Sequence, residues 1–177
     1  MLSTSEIARL TNASYYDNQR ALTEAKNVHP DYELDEELSG RYQKVFYNPT
    51  TKNTTVAFRG TSVKDAKDIV ADSLYLIGMG RHSSRFKNGK TLVNKVIAKY
   101  SKENVELGCH SLSGNICNDV SKDLDVKATS FNPGKTLIPA SKAPKNTKHR
   151  VIGDPLSSTG TSQLPRDINP HSLRNFF

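Results

Sequence analysis

Helical and extended segments alternate along the chain from Thr54 to Phe131, and this alternation constrains the fold more than any other feature. Three short segments in this region, Thr54–Phe58, Val105–Cys109 and Val126–Phe131, are largely apolar, as buried strands are. Between them, apolar residues recur at helical spacing over 66–74, 92–100 and 112–124. The alternation predicts βαβ units, and hence an α/β fold with a mostly parallel sheet and helices on both of its faces.

The two ends of the chain frame this alternating region. Ile7–Ala25 has the spacing of one helix, and Arg41–Tyr47 is predicted to be the first strand, joined to the second by the turn residues Pro49–Asn53. Pro133–Lys148 is rich in Pro, Lys, Ser and Ala, and is predicted to be a loop or lid before a short strand at Arg150–Ile152. Because the 177 residues contain no repeat and no linker, residues 1–177 are predicted to form a single minimal domain.

The formal net charge of +7 raises the question of an anionic partner. Cations cluster between Lys135 and Arg150, and no acidic or aromatic residue accompanies them. Without aromatic side chains on which bases could stack, nucleic acid is not an expected partner. We expect a solvated loop here, with peripheral contact to an anionic lipid surface as the alternative.

The amino terminus lacks the basic and then apolar layout of a signal peptide. The longest largely uncharged apolar stretch, Ser73–Gly80, is far shorter than the roughly 20 residues of a transmembrane helix. We therefore expect no secretion signal and no membrane-spanning segment. Cys109 and Cys117, the two cysteines, are expected to be small buried residues rather than a disulfide or zinc ligands.

A candidate nucleophile lies in Cys109-His-Ser-Leu-Ser113, between a predicted strand and a predicted helix. A nucleophile elbow requires this context, because the turn projects the serine hydroxyl above the carboxyl end of the sheet. Ser111 is therefore the predicted nucleophile. A serine hydroxyl needs a base at neutral pH, and histidine is the side chain best suited to take and return the proton. His110 abuts Ser111 and cannot fold back on it, and His149 would enter a strand at its wrong end. His29 and His82 precede the nucleophile, so of the five histidines His171 remains as the candidate base.

In proteins with a nucleophile elbow of this kind, the acid that orients the histidine lies between the serine and the histidine in chain order. Asp154 follows the predicted strand Arg150–Ile152, so it should emerge at the carboxyl end of the sheet. Pro155 restricts its backbone to extended geometry. Asp154 is the predicted acid, and Asp167 is the alternative.

Four segments resemble motifs of the class 3 lipases, an α/β-hydrolase family. Cys109-His-Ser-Leu-Ser-Gly114 resembles the Gly-His-Ser-Leu-Gly-Gly elbow of the family, with an identical centre. The other three are Phe58-Arg-Gly-Thr61, similar to the Phe-Arg-Gly-Ser/Thr segment, Asp154-Pro-Leu-Ser157, similar to the Asp-Pro-Val-Pro acid motif, and Pro170–Phe177, similar to the carboxyl terminus of short members.

The resemblance implies a serine ester hydrolase, a lipase or esterase that acts on lipid or uncharged acyl esters without a metal or cofactor. It implies a triad of Ser111, Asp154 and His171. It also implies an oxyanion hole formed by the backbone N–H groups of Thr61 and Leu112. Gly78–Phe86 or Pro133–Lys148 would supply a lid.

Two departures from the family motif support a different hypothesis. Cys109 and Ser113 replace glycines, and side chains at these positions would crowd each other beneath the turn. A catalytically degenerate lipase-fold protein with a structural or interaction role is therefore the alternative. Short proteins of this kind resemble those of large DNA viruses and phages, so the expected location is the cytoplasm or a virus particle.

Overall fold

The computed structural model describes residues 2–60, 84–134, 142–154 and 161–177. Within these ranges, seven strands form one sheet in which the spatial order of the strands follows the chain. The strands are β1 (Glu33–Leu34), β2 (Gln43–Tyr47), β3 (Thr54–Phe58), β4 (Val105–His110), β5 (Lys127–Phe131), β6 (Asn146–Val151) and β7 (Thr161–Gln163). The pairs β1–β2 and β2–β3 are antiparallel, and every later pair is parallel. The predicted mostly parallel sheet is therefore confirmed.

Helices cover both faces of this sheet, which confirms the predicted α/β-hydrolase-like fold. They are α1 (Thr4–Ala13), α2 (Asn18–Lys26), α3 (Ser84–Tyr100) and α4 (Ser113–Leu124), with short 3₁₀ helices at Lys102–Asn104 and Leu173–Phe176. Because side chains alternate along a strand, Val56 packs with residues of α3 and α4, whereas its neighbour Ala57 packs with α1 and α2. None of the described helices is long and apolar enough to cross a bilayer.

The amino-terminal region contains two helices, so the prediction of one helix over Ile7–Ala25 is wrong. The first helix ends at Ala13 and is capped by Ser14, whose hydroxyl donates to the Thr11 carbonyl at 2.6 Å. Asp17 then begins the second helix by accepting a hydrogen bond from the Arg20 N–H at 2.9 Å. A side-chain cap on each side of a short turn overrides the continuous apolar spacing.

The strand predictions are correct in the centre of the sheet and wrong at its edges. Arg41–Tyr47 is not the first strand, because Glu33–Leu34 pairs with its outer edge. The strand predicted at Arg150–Ile152 begins earlier, at Asn146, and Thr161–Gln163 adds a further strand beyond it. β6 and β7 are partly exposed and polar, so they lack the apolar pattern by which a buried strand is recognised. The predicted helix over 66–74 lies outside the described residues.

The basic stretch is not a uniformly solvated loop, because its second half is strand β6. Lys145 pairs with Asp125 at 2.8 Å, and Lys148 is half-buried, so that burial lowers its pKa. His149 packs against Phe131 with a ring-centroid distance of 5.8 Å. Lys135 lies outside the described residues.

Helix α1 crosses the sheet directly over β4. A Cβ atom at Gly108 would collide with the Thr11 hydroxyl and approach the Ile7 Cγ2 atom to 3.1 Å, so only glycine permits this packing distance. Tyr15, just beyond the end of α1, therefore lies near the carboxyl end of β4. The carboxyl ends of parallel strands are the usual location of sites in open α/β sheets.

Candidate active site

Ser111 occupies a strained turn between β4 and α4. Its φ angle is +57°, in the left-handed region that residues with side chains rarely adopt. The turn is held by its own backbone, since the Ser111 N–H donates to the Phe131 carbonyl and the Ser111 carbonyl accepts from Gly114 and Gly134. The strand–turn–helix context predicted for the nucleophile is therefore present, with the serine side chain half-buried.

The end of β3 lies against this turn. A Cβ atom at the buried Gly60 would come within 2.7 Å of the Ser111 Cβ and 2.8 Å of the His110 carbonyl oxygen. Glycine is therefore required at position 60 for β3 to approach the turn this closely. This approach brings the segment that precedes Thr61 next to Ser111.

Cys109 and Cys117 are joined by a disulfide, so the prediction of two unlinked cysteines is wrong. Helix α4 folds back over β4, which brings the two Cα atoms to 6.2 Å although eight positions separate them, and this distance is within the range of disulfides. The buried Ser113 has different partners. Its hydroxyl accepts the His110 N–H at 3.0 Å and lies 2.9 Å from the Phe58 carbonyl oxygen. The two residues that replace motif glycines are thus each accommodated by separate contacts.

Asp154 and His171 form a hydrogen-bonded pair. The Nδ1 atom of His171 lies 2.7 Å from Oδ2 of Asp154, whose side chain is fully buried. The Asp167 carboxylate instead accepts hydrogen bonds within its own loop, from the Asn169 N–H and the Ser172 hydroxyl. The structure therefore pairs His171 with the predicted acid and not with the alternative.

Asn132, which sequence analysis did not single out, holds together the segments that carry this pair. Its side-chain oxygen accepts the Val151 N–H at 2.9 Å, and its amide nitrogen donates to the Pro170 carbonyl at 3.2 Å. Asn132 is fully buried at the end of β5. An asparagine next to a Pro-Gly turn resembles an ordinary loop residue in sequence, so no local pattern could have revealed this role.

His171 and Ser111 both adjoin His110, at the carboxyl end of β4. The rings of His110 and His171 are 4.8 Å apart between centroids, and His110 directly precedes Ser111. Within the described residues, no hydrogen bond joins the Ser111 hydroxyl to the His171 imidazole. Contacts between nucleophile and base often tighten only when substrate binds, so this geometry is compatible with catalysis.

One of the two predicted oxyanion donors, Leu112, lies within the described residues. Within the described part of the chain, the Leu112 N–H donates to no acceptor. This is the state expected of a donor that binds a ligand. Thr61 lies outside the described residues, and so do most of Gly78–Phe86 and the central part of Pro133–Lys148, the two segments predicted to form a lid. The described ranges contain no group of three or more metal-ligating side chains placed to hold an ion.

His110 is buried, and it contacts two other parts of the site. Its Nδ1 atom lies 2.6 Å from the Tyr15 hydroxyl, and its Nε2 atom lies 2.8 Å from the His171 carbonyl oxygen. Burial, followed by the positive charge that His171 would carry, lowers the pKa of His110 to about 3. His110 is therefore neutral across the physiological pH range. Sequence analysis did not predict its contact with Tyr15.

Solved structures with the lipase fold are similar to this chain over most of its length. The Lip2 lipase of Yarrowia lipolytica superposes with a TM-score of 0.60 at 15% identity, covering 97% of this chain and 81% of that one. A triacylglycerol lipase of Penicillium expansum gives 0.53 at 16% identity, with 96% and 83% covered. The extracellular lipase LipA of Serratia marcescens gives 0.57 at 16% identity, with 92% of this chain but 41% of that chain covered.

Sequence comparison adds no relative, since neither a family model nor a curated protein sequence matches the chain. The superpositions establish the lipase fold, whereas identities of 15 to 16% leave the activity open.

Proposed function

We propose that the chain is a serine carboxylic ester hydrolase, a lipase or esterase that acts on lipid or uncharged acyl esters. One observation carries the proposal. The buried Asp154–His171 pair lies at the carboxyl end of the sheet, next to a turn that holds Ser111 at a positive φ angle. A fold known from lipases supports the same conclusion, and membership of the class 3 lipases is part of the proposal.

The Asp154–His171 hydrogen bond determines how the imidazole can act. A carboxylate can only accept, so the proton lies on Nδ1 of His171 and leaves the Nε2 lone pair available. His171 can then take the proton of Ser111 as the hydroxyl attacks the ester carbonyl, and later return it to the leaving alcohol. The buried carboxylate of Asp154 fixes the ring and stabilises the imidazolium that forms.

The negative charge that develops on the carbonyl oxygen needs donors close to Ser111. The Leu112 N–H is suited to this role, because it directly follows the nucleophile at the start of α4 and donates to no described residue. We propose the Thr61 N–H as the second donor, since Gly60 lies against the Ser111 turn. A water molecule that replaces the alcohol would then give a proton to His171 and attack the acyl carbon. His171 would return that proton to the Ser111 oxygen as the bond between Ser111 and the acyl group breaks.

Exposed aliphatic side chains support a lipid substrate. Ile152 is 50% exposed and Leu164 is 73% exposed, and the two adjoin because the Ile152 N–H donates to the Gln163 carbonyl. Arg166 lies two residues further on, and the chain carries a net charge of +7. We propose that the surface formed by Ile152, Leu164 and Arg166 contacts an anionic lipid surface.

Sedimentation of the protein with phosphatidylglycerol vesicles should exceed that with phosphatidylcholine vesicles and should fall in the Leu164→Ser variant. Equal binding to both kinds of vesicle would contradict the proposal.

The competing hypothesis is a catalytically degenerate protein with a structural or interaction role, for example in a virus particle. Cys109 and Ser113 at motif glycine positions favour it. The crowding expected at these positions is relieved in the structure, because the disulfide and the hydrogen bonds of Ser113 give each side chain its own partners. Ester hydrolysis therefore remains the better supported function.

Hydrolysis of short and long acyl p-nitrophenyl esters tests the proposal. We expect turnover by the wild type and its loss in Ser111→Ala and His171→Ala. Ser162→Ala is the matched control, because Ser162 is an exposed serine of β7 whose hydroxyl bonds only to Arg150 among the described contacts. Equal rates in the wild type and Ser111→Ala would refute the proposed function and favour the degenerate alternative.

A further inference from the structure

A continuous chain of hydrogen bonds connects three separate segments around Ser111. The buried Gly60 N–H lies 2.9 Å from the Tyr15 hydroxyl oxygen, which in turn lies 2.6 Å from Nδ1 of His110. On the other side of the ring, Nε2 of His110 lies 2.8 Å from the His171 carbonyl oxygen. The end of β3, the nucleophile turn and the loop of the candidate base are thus linked through two side chains.

The chemistry of its two ends fixes the direction of this chain. A carbonyl oxygen can only accept, so the proton of His110 is on Nε2 and points at His171. Nδ1 of His110 is then an acceptor, and the Tyr15 hydroxyl must donate to it. The same hydroxyl oxygen can accept the Gly60 N–H. The Tyr15 hydroxyl is thus used once as a donor and once as an acceptor, and the neutral ring of His110 uses Nε2–H as its donor and Nδ1 as its acceptor.

We propose that Tyr15 and His110 are positioning residues for ester hydrolysis. They hold the base and the end of β3 at Gly60 in place relative to Ser111. This inference rests on the proposed function. Through Tyr15, the chain fixes Gly60, whose next residue is the proposed oxyanion donor Thr61. Through His110, it fixes the backbone carbonyl of His171, whose ring contacts Asp154.

The surroundings explain why a tyrosine and a histidine are needed. Because Gly60 is buried, its N–H needs a hydrogen-bond acceptor within the protein. A side chain would not fit at this position, so the acceptor comes from another segment. Helix α1 passes over β4 and delivers the Tyr15 hydroxyl to that point. His110 is 7% exposed, and its burial disfavours the charged form of the ring, so Nδ1 is available to accept the Tyr15 hydroxyl. Small displacements of reacting groups are costly, so these distant bonds affect the rate.

The experiment compares kcat and KM for a soluble short-chain ester across matched variants. Tyr15→Phe removes one hydroxyl, and Tyr16→Phe is its control on the neighbouring tyrosine, whose ring packs under Arg20. We expect Tyr15→Phe to lower kcat about tenfold with KM changed less than about twofold, because the loss falls on positioning rather than on binding. We expect His110→Gln, which can keep a donor to His171, to retain about tenfold more activity than His110→Leu.

The outcomes separate this inference from the proposed function. If the wild type hydrolyses esters and Tyr15→Phe keeps its kcat within twofold of Tyr16→Phe, the positioning role is wrong while the proposed function stands. If the wild type is inactive, both fail. Histidine ¹⁵N NMR provides a second readout that does not depend on turnover. His110 should show the neutral Nε2–H tautomer between about pH 5 and about pH 9, and an Nδ1–H tautomer or a charged ring would overturn the inference.

Discussion

Replacement of Asp154 by asparagine removes the charge of the candidate acid while keeping its shape. The side chain is fully buried and bonds to His171 at 2.7 Å, so the change falls on a charge-assisted hydrogen bond. Loss of such a bond costs about 1.5 to 3 kcal/mol, which corresponds to a decrease in kcat of about 10- to 150-fold. An asparagine NH₂ facing Nδ1 would also favour the wrong imidazole tautomer. The same substitution in a serine protease triad shows that this effect can extend the loss to about 10⁴-fold.

Initial rates with a saturating soluble ester, measured for the wild type, Asp154→Asn and Asp167→Asn, test this prediction. Asp167 is the matched control, because its carboxylate bonds within its own loop. We expect Asp154→Asn to lose at least about 10-fold in kcat and Asp167→Asn to change it less than about threefold. A wild-type rate in Asp154→Asn, together with a large loss in Asp167→Asn, would refute the assignment of the acid.

Two further predictions concern stability. The disulfide between Cys109 and Cys117 closes a loop with a sequence separation of eight and should raise the free energy of unfolding by about 2.5 kcal/mol. Reduction should therefore lower the urea midpoint of unfolding. Two free thiols in the unreduced protein would contradict this prediction. Burial raises the pKa of Glu106 to about 7 from 4.5, so the folded state holds its proton more tightly, and the resulting stability is lost as the pH rises through about 7. Glu106→Gln should therefore stabilise the protein at about pH 8 and have little effect on its stability at about pH 4. The exposed control Glu103→Gln should have little effect on stability at either pH. An equal effect of Glu106→Gln at both pH values would be inconsistent with the burial of a titrating carboxyl.

The centre of the fold could be predicted from sequence because buried parallel strands carry their own signal. Thr54–Phe58 is buried at every position, and its apolar run marked it as a strand with the correct ends. Asn146–Val151 shows the opposite case. Its residues are mostly polar and half-exposed, and pairing with β5 rather than an apolar pattern makes it a strand. The break at Ser14–Asp17 was hidden in the same way, because capping side chains and not apolar spacing decide it.

The candidate site could be predicted where short motifs carry it. Ser111, Asp154 and His171 lie in recognisable local contexts, and the structure brings the last two into contact. Tyr15 and Asn132 had no such context, because their contacts depend on how α1 and the end of β5 pack against distant segments. Spacing within the chain does not report packing of this kind. The disulfide was missed for a related reason, since its feasibility depends on how closely the helix folds back over the strand.

Covalent labelling with a fluorophosphonate tests the central claim most directly, because the reagent reacts with a serine only when a neighbouring base activates it. Intact mass and peptide mapping of the labelled wild type, beside Ser111→Ala and Ser162→Ala, identify the residue that reacts. The proposed function predicts one label per chain, located on Ser111, retained in Ser162→Ala and lost in Ser111→Ala. An unlabelled wild type, or a label that persists in Ser111→Ala, would contradict it.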